Sequence, residues 1–205
     1  MPMSVSSKPV SSARDRLLEA AVELFAVHGF QAIGLRDLAN YLGLHAGSLY
    51  HHIENKQSLL FELIESGFSD LLLDTVHRTK RARNPRERLR LFIQAFVAFR
   101  FNEKHTLMLM AREVANLDTE QKAQVIQLKN RYASLLKSII DNEDREPGTP
   151  DIDNCPMTGA VIAILFGQAQ WYSVETTKAV LTETLTTVIS GIIGHHKKIL
   201  IQGIS

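Results

Sequence analysis

The sequence predicts an all-α fold of about nine helices. Three observations carry that expectation. Apolar residues return every three or four positions through most of the 205 residues, helix-start and helix-stop signals separate those runs, and no stretch sustains the apolar/polar alternation of a half-buried strand. No repeat of fixed period stands out either.

Each element follows from local signals. Ser12, with Asp15 three positions on, starts a first helix carrying Leu17, Leu18, Ala21, Val22 and Phe25, and Gly29 ends it. A short second helix begins at Leu35, places Leu38, Ala39 and Leu42 on one face, and closes at Gly43 in a left-handed conformation. A third spans Ala46 to His52. Asn55 then caps a fourth, whose apolar residues from Leu59 through Val76 imply more than about twenty residues, or roughly 30 Å.

Asn84, Pro85 and Glu87 supply an N-cap, a first-turn proline and a third-position acid, so a fifth helix with Leu89, Phe92, Ile93 and Phe96 starts there. The sixth helix is expected over Glu103 to Asn116, and Asp118 with Gln121 caps a seventh. After the Pro/Gly-punctuated loop DNEDREPGTPDIDNCP come an eighth helix, Asn154 to Tyr172, and a ninth, Thr176 to Gly194. The eighth is apolar nearly all round, with Gly159, Ala160, Ala163, Gly167 and Ala169 offering close approach to another helix, so it must be covered. The ninth carries Val180, Leu181, Leu185, Val188, Ile189 and Ile192 among threonines of modest helix propensity, so packing must stabilise it.

Composition excludes several classes. With 45% hydrophobic and 22% charged residues the chain is not globally disordered, and its net charge of +1 provides no bulk attraction for nucleic acid. Cys155 is the only cysteine and reads as a buried thiol; it fits a reducing cytoplasm and forbids an intrachain disulfide. The Ser-rich start has no signal-peptide core, and no apolar run reaches the roughly 18 to 20 residues of a membrane span. A cytoplasmic location is expected. His51-His52 and His195-His196 are adjacent pairs that diverge on a helix, so no metal site is expected. No GxSxG, GxGxxG or GxxxxGK[ST] motif supports catalysis or a cofactor.

Function concentrates in LRDLANYLGLHAGSLYHH, two short helices about a tight glycine turn at the spacing of a DNA-binding helix-turn-helix. In its third helix only Leu49 and Ile53 look buried. Ser48, Tyr50, His51 and His52 can donate hydrogen bonds to phosphates or base edges, and Ala46 and Gly47 permit close approach to a groove. A helical protein-interaction module without DNA-binding activity is the alternative, because Lys8, Arg14, Arg16, Arg36 and Lys56 are balanced by five acids within the module. DNA binding must then depend on placement and dimerisation.

The run from Arg16 to Glu65 closely resembles the N-terminal module of TetR/AcrR-type repressors, through AAVELFAVHGF, LRDLANYLGL, GSLYHHIENK and the apolar run after Lys56. That resemblance implies that Arg36, His45, Ala46, Gly47, Ser48, Tyr50, His51 and Lys56 face double-stranded operator DNA, with Tyr50 and Lys56 on phosphates and His45, Ala46 and His51 at bases. Gly34, His45 and Ala46 depart from the threonine, serine and lysine frequent in the family, which weakens the capping of helix two. It also implies a ligand-responsive repressor, homodimeric on a pseudo-palindromic operator. The organisation is then a flexible arm over 1–11, the DNA-binding module over 12–55, a ligand-binding and dimerisation body over 56–198 and a tail over 199–205.

In the body, Phe92, Phe96, Met108, Phe166 and Trp171 are core residues of which a few could line an apolar effector pocket, with Arg112 as its orienting polar group. Ile162, Phe166, Ala169, Leu185, Val188 and Ile192 are the expected dimer face. The basic run His77 to Arg90 reads as a solvated helix end and loop, with a second nucleic-acid site and an anchor for acyl-CoA phosphates as the alternatives. MLMAREVANLDTEQKAQVIQLKNRYASLL and LFGQAQWYSV are similar to regulators of fatty-acid or steroid-type acyl-CoA catabolism, which implies a fatty-acyl or acyl-CoA effector.

Overall fold

Three short helices hang from one end of a long fourth, and five more build a body around the remainder of that helix. The computed structural model describes residues 12–141, 155–171 and 176–202, with the side chains of 46, 168–171 and 199–202 outside that description. Among the described residues the fold is all-α: α1 (Ala13–His28), α2 (Leu35–Leu42), α3 (Ala46–Leu49), α4 (Lys56–Thr79), α5 (Pro85–Asn102), α6 (Lys104–Arg112), a 3-10 turn (Glu113–Asn116), α7 (Thr119–Asp141), α8 (Pro156–Trp171) and α9 (Lys178–Gln202). None of these helices is long and apolar enough to cross a membrane.

The start signals form as their chemistry requires. Ser12 Oγ accepts the Asp15 N–H at 3.0 Å while Asp15 accepts the Ser12 N–H at 2.9 Å, closing a capping box. Asn84 Oδ1 accepts the Glu87 N–H at 2.9 Å ahead of Pro85, and Asp118 and Gln121 cap α7 reciprocally. At the other end of α1, Gly29 adopts φ +87° and lets Phe30 fold back edge-on to Phe25, with ring centroids 5.3 Å apart.

Two helices of the body differ from expectation in their boundaries. The sixth helix gives way at Glu113 to the 3-10 turn, where the Asn116 carbonyl accepts from Gln57 at 2.7 Å and its amide oxygen from Gln31 at 3.0 Å. The ninth runs through Gly194 to Gln202, into the expected tail, because the backbone stays helical there and Lys197 Nζ donates to the Ile140 carbonyl at the end of α7. Its threonines Thr182 and Thr186 satisfy their hydroxyls on the carbonyls four residues back, both at 2.7 Å. The eighth spans Pro156–Trp171, and its expected ends at Asn154 and Tyr172 lie outside the described residues. Cys155, expected to be buried, is half-buried before its first turn.

One continuous hydrophobic core runs from Leu17 and Phe25 through α4 to Ile189 and Ile193. α4 packs against α5, α6 and α7, while α1 lies on α6, so the first three helices and the body meet through α4 and through α6. Where α4 crosses α6, Gly67 is the contact: a Cβ there would stand 2.7 Å from Thr106 Cγ2 and 2.9 Å from Met110 Sδ. Met110 can swing aside, whereas β-branched Thr106 is stiff. Gly67→Ala is therefore expected to destabilise the protein by about 1–2 kcal/mol in urea unfolding, despite the roughly 1 kcal/mol that alanine gains over glycine in an open helix. An unchanged or raised midpoint would show that the two helices separate freely.

Candidate nucleic-acid interface

The α2–turn–α3 unit is set by Gly43. Its φ of +67° reverses the chain, its N–H donates to Asn40 O at 3.1 Å, and the Leu44 N–H reaches Ala39 O at 2.9 Å, so the last carbonyls of α2 are satisfied as the chain turns. At the start of α2, Gly34 has no side chain to cap with, yet Asp37 Oδ2 accepts its N–H at 2.7 Å. Half of a capping box thus survives, with the acid in the first turn where it meets the positive end of the helix dipole.

α3 is shorter than expected. It occupies Ala46–Leu49, and the chain continues in turns, with the His52 and Ile53 N–H groups donating back to Leu49 O at 2.8 and 3.1 Å. Gly47 and Ser48 are weak helix formers, and the chain must leave the helix to reach an extended Asn55 that caps α4. Leu49 is fully buried and Ile53 nearly so, and these two anchors fix which side faces out.

That outer side carries most of the expected residues. Arg36, His45, Gly47, Tyr50 and His51 are exposed, Tyr50 at 61%, while Ser48 is half-buried and the Ala46 side chain lies outside the described residues. Lys56 is placed differently from a free phosphate-facing cation. Its ammonium sits over the Phe30 ring, 4.1 Å from the centroid, with Phe25 at 5.9 Å, and burial pulls its pKa below the usual lysine range against the opposing pull of Asp37 and Glu113.

The body brings part of the expected effector cluster together. Phe92 and Phe96, one turn apart on α5, are fully buried; Phe166 lies 5.1 Å from Phe96 and 6.4 Å from Phe68, stacked on the latter. Met108 is half-buried against the same core, and the Trp171 side chain lies outside the described residues. Arg112 is a correction. It is exposed at the end of α6, so it is not a polar group set into the apolar interior.

The polar group that is set there is Tyr132 of α7, buried at the helical spacing of a core residue. Its ring lies 4.8 Å from Phe92, and its hydroxyl is buried without a hydrogen-bond partner among the described residues. Burial pushes the phenol's pKa above its usual range. The Thr75 hydroxyl alongside pulls the other way, yet commits its own proton to Leu71 O at 2.6 Å.

The expected dimer face also divides. Leu185 is a correction: with Leu181, Ile189 and Ile193 it faces inward and is only 2% exposed, so it has almost no surface left for a partner. Val188 and Ile192 point out, at 46% and 37%, beside exposed Val180. Ile162 and Phe166 are half-buried against the core, and the Ala169 side chain lies outside the described residues.

A buried-anchored helix-turn-helix, carrying an arginine, histidines and a tyrosine outward and feeding a long helix into a helical body, defines a DNA-binding transcriptional regulator. The chain belongs to the TetR family: residues 17–63 match the bacterial regulatory proteins of that family, and 82–191 match the tetracyclin repressor-like C-terminal domain. The HTH-type transcriptional repressor KstR2 of Mycobacterium tuberculosis is 33% identical over 151 residues, 70% of this chain and 73% of that one. The crystal structure of PfmR from Thermus thermophilus superposes with a TM-score of 0.75 at 26% identity, covering 88% and 96% of the two chains. AibR, solved with isovaleryl coenzyme A and operator DNA, shares the fold at a TM-score of 0.74 and 19% identity, over 86% and 97%. The protein is accordingly a DNA-binding transcriptional regulator of that family and not an enzyme.

Proposed function

We propose that the chain is a cytoplasmic homodimer in which 12–55 reads DNA and 56–198 senses an effector and dimerises. Arg36, His45, Ala46, Gly47, Ser48, Tyr50 and His51 meet the operator, and Lys56, braced by Phe30, offers its ammonium to a phosphate at the head of α4. Val180, Val188 and Ile192 of α9, beside the exposed Gly159, Ala160 and Ala163 of α8, form the isologous face that places two α3 segments about one DNA turn apart.

The effector we assign is an acyl thioester of the coenzyme A class, the ligand class carried by the structurally similar AibR. Its apolar chain enters among Phe68, Phe92, Phe96 and Phe166, and its carbonyl accepts from Tyr132. The orphaned phenol is the observation that carries this reading, since a buried unpaired hydroxyl costs about 1–3 kcal/mol and an acceptor arriving there recovers that cost. An effector acts only through unequal affinity for two dimer geometries, a coupling of typically about 1–3 kcal/mol. The Gln57–Asn116–Gln31 contacts and the α1–α6 packing are the rigid ties through which the body moves the head.

Tyr132→Phe separates these terms. It deletes the unpaired hydroxyl and keeps the ring, so stability is expected to rise by about 1 kcal/mol, or roughly 2–4 °C in melting temperature. The acyl-CoA concentration needed to release operator is expected to rise by about tenfold or more. Thermal melts and fluorescence-anisotropy release curves on both proteins test this. A variant that melts lower and responds normally would place the phenol in the fold alone.

A further inference from the structure

Lys129 stands one turn before Tyr132 on the same face of α7, so the aromatic interior has a cation at one end and an unpaired phenol at the other. We propose that the effector is an acyl thioester whose far end carries a carboxylate, and that Lys129 selects it by pairing with that carboxylate, an assignment that rests on the acyl-thioester reading above.

The two ends differ in chemistry and in exposure. At the inner end the Tyr132 hydroxyl lies beside Thr75 and Phe92, 3% exposed and without a hydrogen-bond partner among the described residues. Phe92 and Phe96 continue the column on successive turns of α5, and Phe166 joins Phe96 to Phe68. At the outer end Lys129 Nζ lies 5.7 Å from the centre of the Phe68 ring. Phe68 is buried, but Phe166 is half-buried and Lys129 is exposed, so the column reaches water at this end.

The charge of Lys129 is uncommitted. A ring face attracts an ammonium through its quadrupole without neutralising it. Among the described residues Lys129 makes no hydrogen bond or ion pair. Arg131, also exposed, is two positions on and about 200° round the helix, on the opposite flank.

Spacing sets the class of ligand. Thr75 and Phe68 are seven residues apart on α4, about 10 Å along its axis. A thioester carbonyl held at Tyr132 therefore sends an extended acyl chain past Phe92, Phe96 and Phe166 and brings its far end out beside Lys129. A methyl group arriving there meets water and a cation and gains nothing. A carboxylate keeps much of its hydration at the rim, avoiding the penalty of a buried charge, and gains a counter-ion.

The test is calorimetric titration of the full-length, DNA-free protein with sebacoyl-CoA and decanoyl-CoA, which differ only in a terminal carboxylate or methyl. The wild-type chain is expected to bind sebacoyl-CoA about fivefold more tightly. Lys129→Gln is expected to weaken sebacoyl-CoA by about fivefold and leave decanoyl-CoA unchanged, which also shows that the variant is folded. Lys129→Arg is expected to retain the preference, and Arg131→Gln to leave both affinities unaltered. Tyr132→Phe is expected to weaken both thioesters equally. The proposal is overturned by equal or tighter binding of decanoyl-CoA, by loss of the preference in Arg131→Gln, or by equal weakening of both thioesters in Lys129→Gln, which would turn the cation to the coenzyme A phosphates. Failure of both thioesters to bind overturns the acyl-thioester reading itself, whereas binding of both with sensitivity to Tyr132→Phe and no preference overturns the role of Lys129 alone.

Discussion

Ile192→Asp, alone or with Val188→Asp, is expected to turn the dimer into a monomer and to lower operator affinity by about a hundredfold or more. The direction of both side chains is fixed by their neighbours. Leu181, Leu185, Ile189 and Ile193 recur every four residues and are buried within one chain, and Val188 and Ile192, three positions on from Leu185 and Ile189, lie along the edge of that stripe, apolar and exposed. A carboxylate in a dry interface loses hydration without gaining a partner, a penalty of several kcal/mol that the association cannot absorb. Since each head reads one half-site, separation removes the gain from holding two heads at once. Leu185→Ala is the informative contrast. It opens a cavity inside the chain and is expected to lower stability by about 2–5 kcal/mol, with dimerisation affected only as far as folding is. Sedimentation of both variants distinguishes these outcomes, and a dimeric Ile192→Asp would move the interface elsewhere.

That contrast also marks where sequence stops informing. Periodicity places Leu185 and Val188 in one apolar band, because a broad stripe on a helix does not say which neighbour covers which edge; packing of α9 on α5 divides the band. Signals complete within four residues were readable: Ser12 with Asp15, Asn84 with Pro85 and Glu87, and Gly29 and Gly43 at positive φ. Arg112 failed for a tertiary reason, since its place in an apolar run does not fix the direction in which the last turn of α6 points it. Tyr132 was invisible for the converse reason. A tyrosine at core spacing reads as a hydrophobe, and only the assembled α4–α5–α7 interior shows that its hydroxyl lacks a hydrogen-bond partner among the described residues.

Tyr50→Ala is expected to weaken operator binding by at least about tenfold while leaving the melting temperature unchanged. The side chain is 61% exposed and its hydroxyl bonds to nothing among the described residues, so its removal leaves the fold intact; Leu49 and Ile53 hold the segment from the other side. A hydrogen bond to a charged phosphate contributes about 1.5–3 kcal/mol, and the dimer makes it twice. Since the phenol is neutral, affinity should fall equally at all salt concentrations and the log–log salt slope should not change. Lys56→Met should behave differently on both counts. Removing an ammonium held over Phe30 is expected to cost about 1 kcal/mol of stability, and losing a phosphate-neutralising cation flattens the slope by about 0.9 per subunit. Anisotropy titrations across a salt series therefore resolve two roles that affinity at one salt concentration would merge. If Lys56→Met lowers stability and leaves the slope untouched, the cation serves only to brace α4 against the aromatic pair, and phosphate binding at the head of α4 passes to other groups.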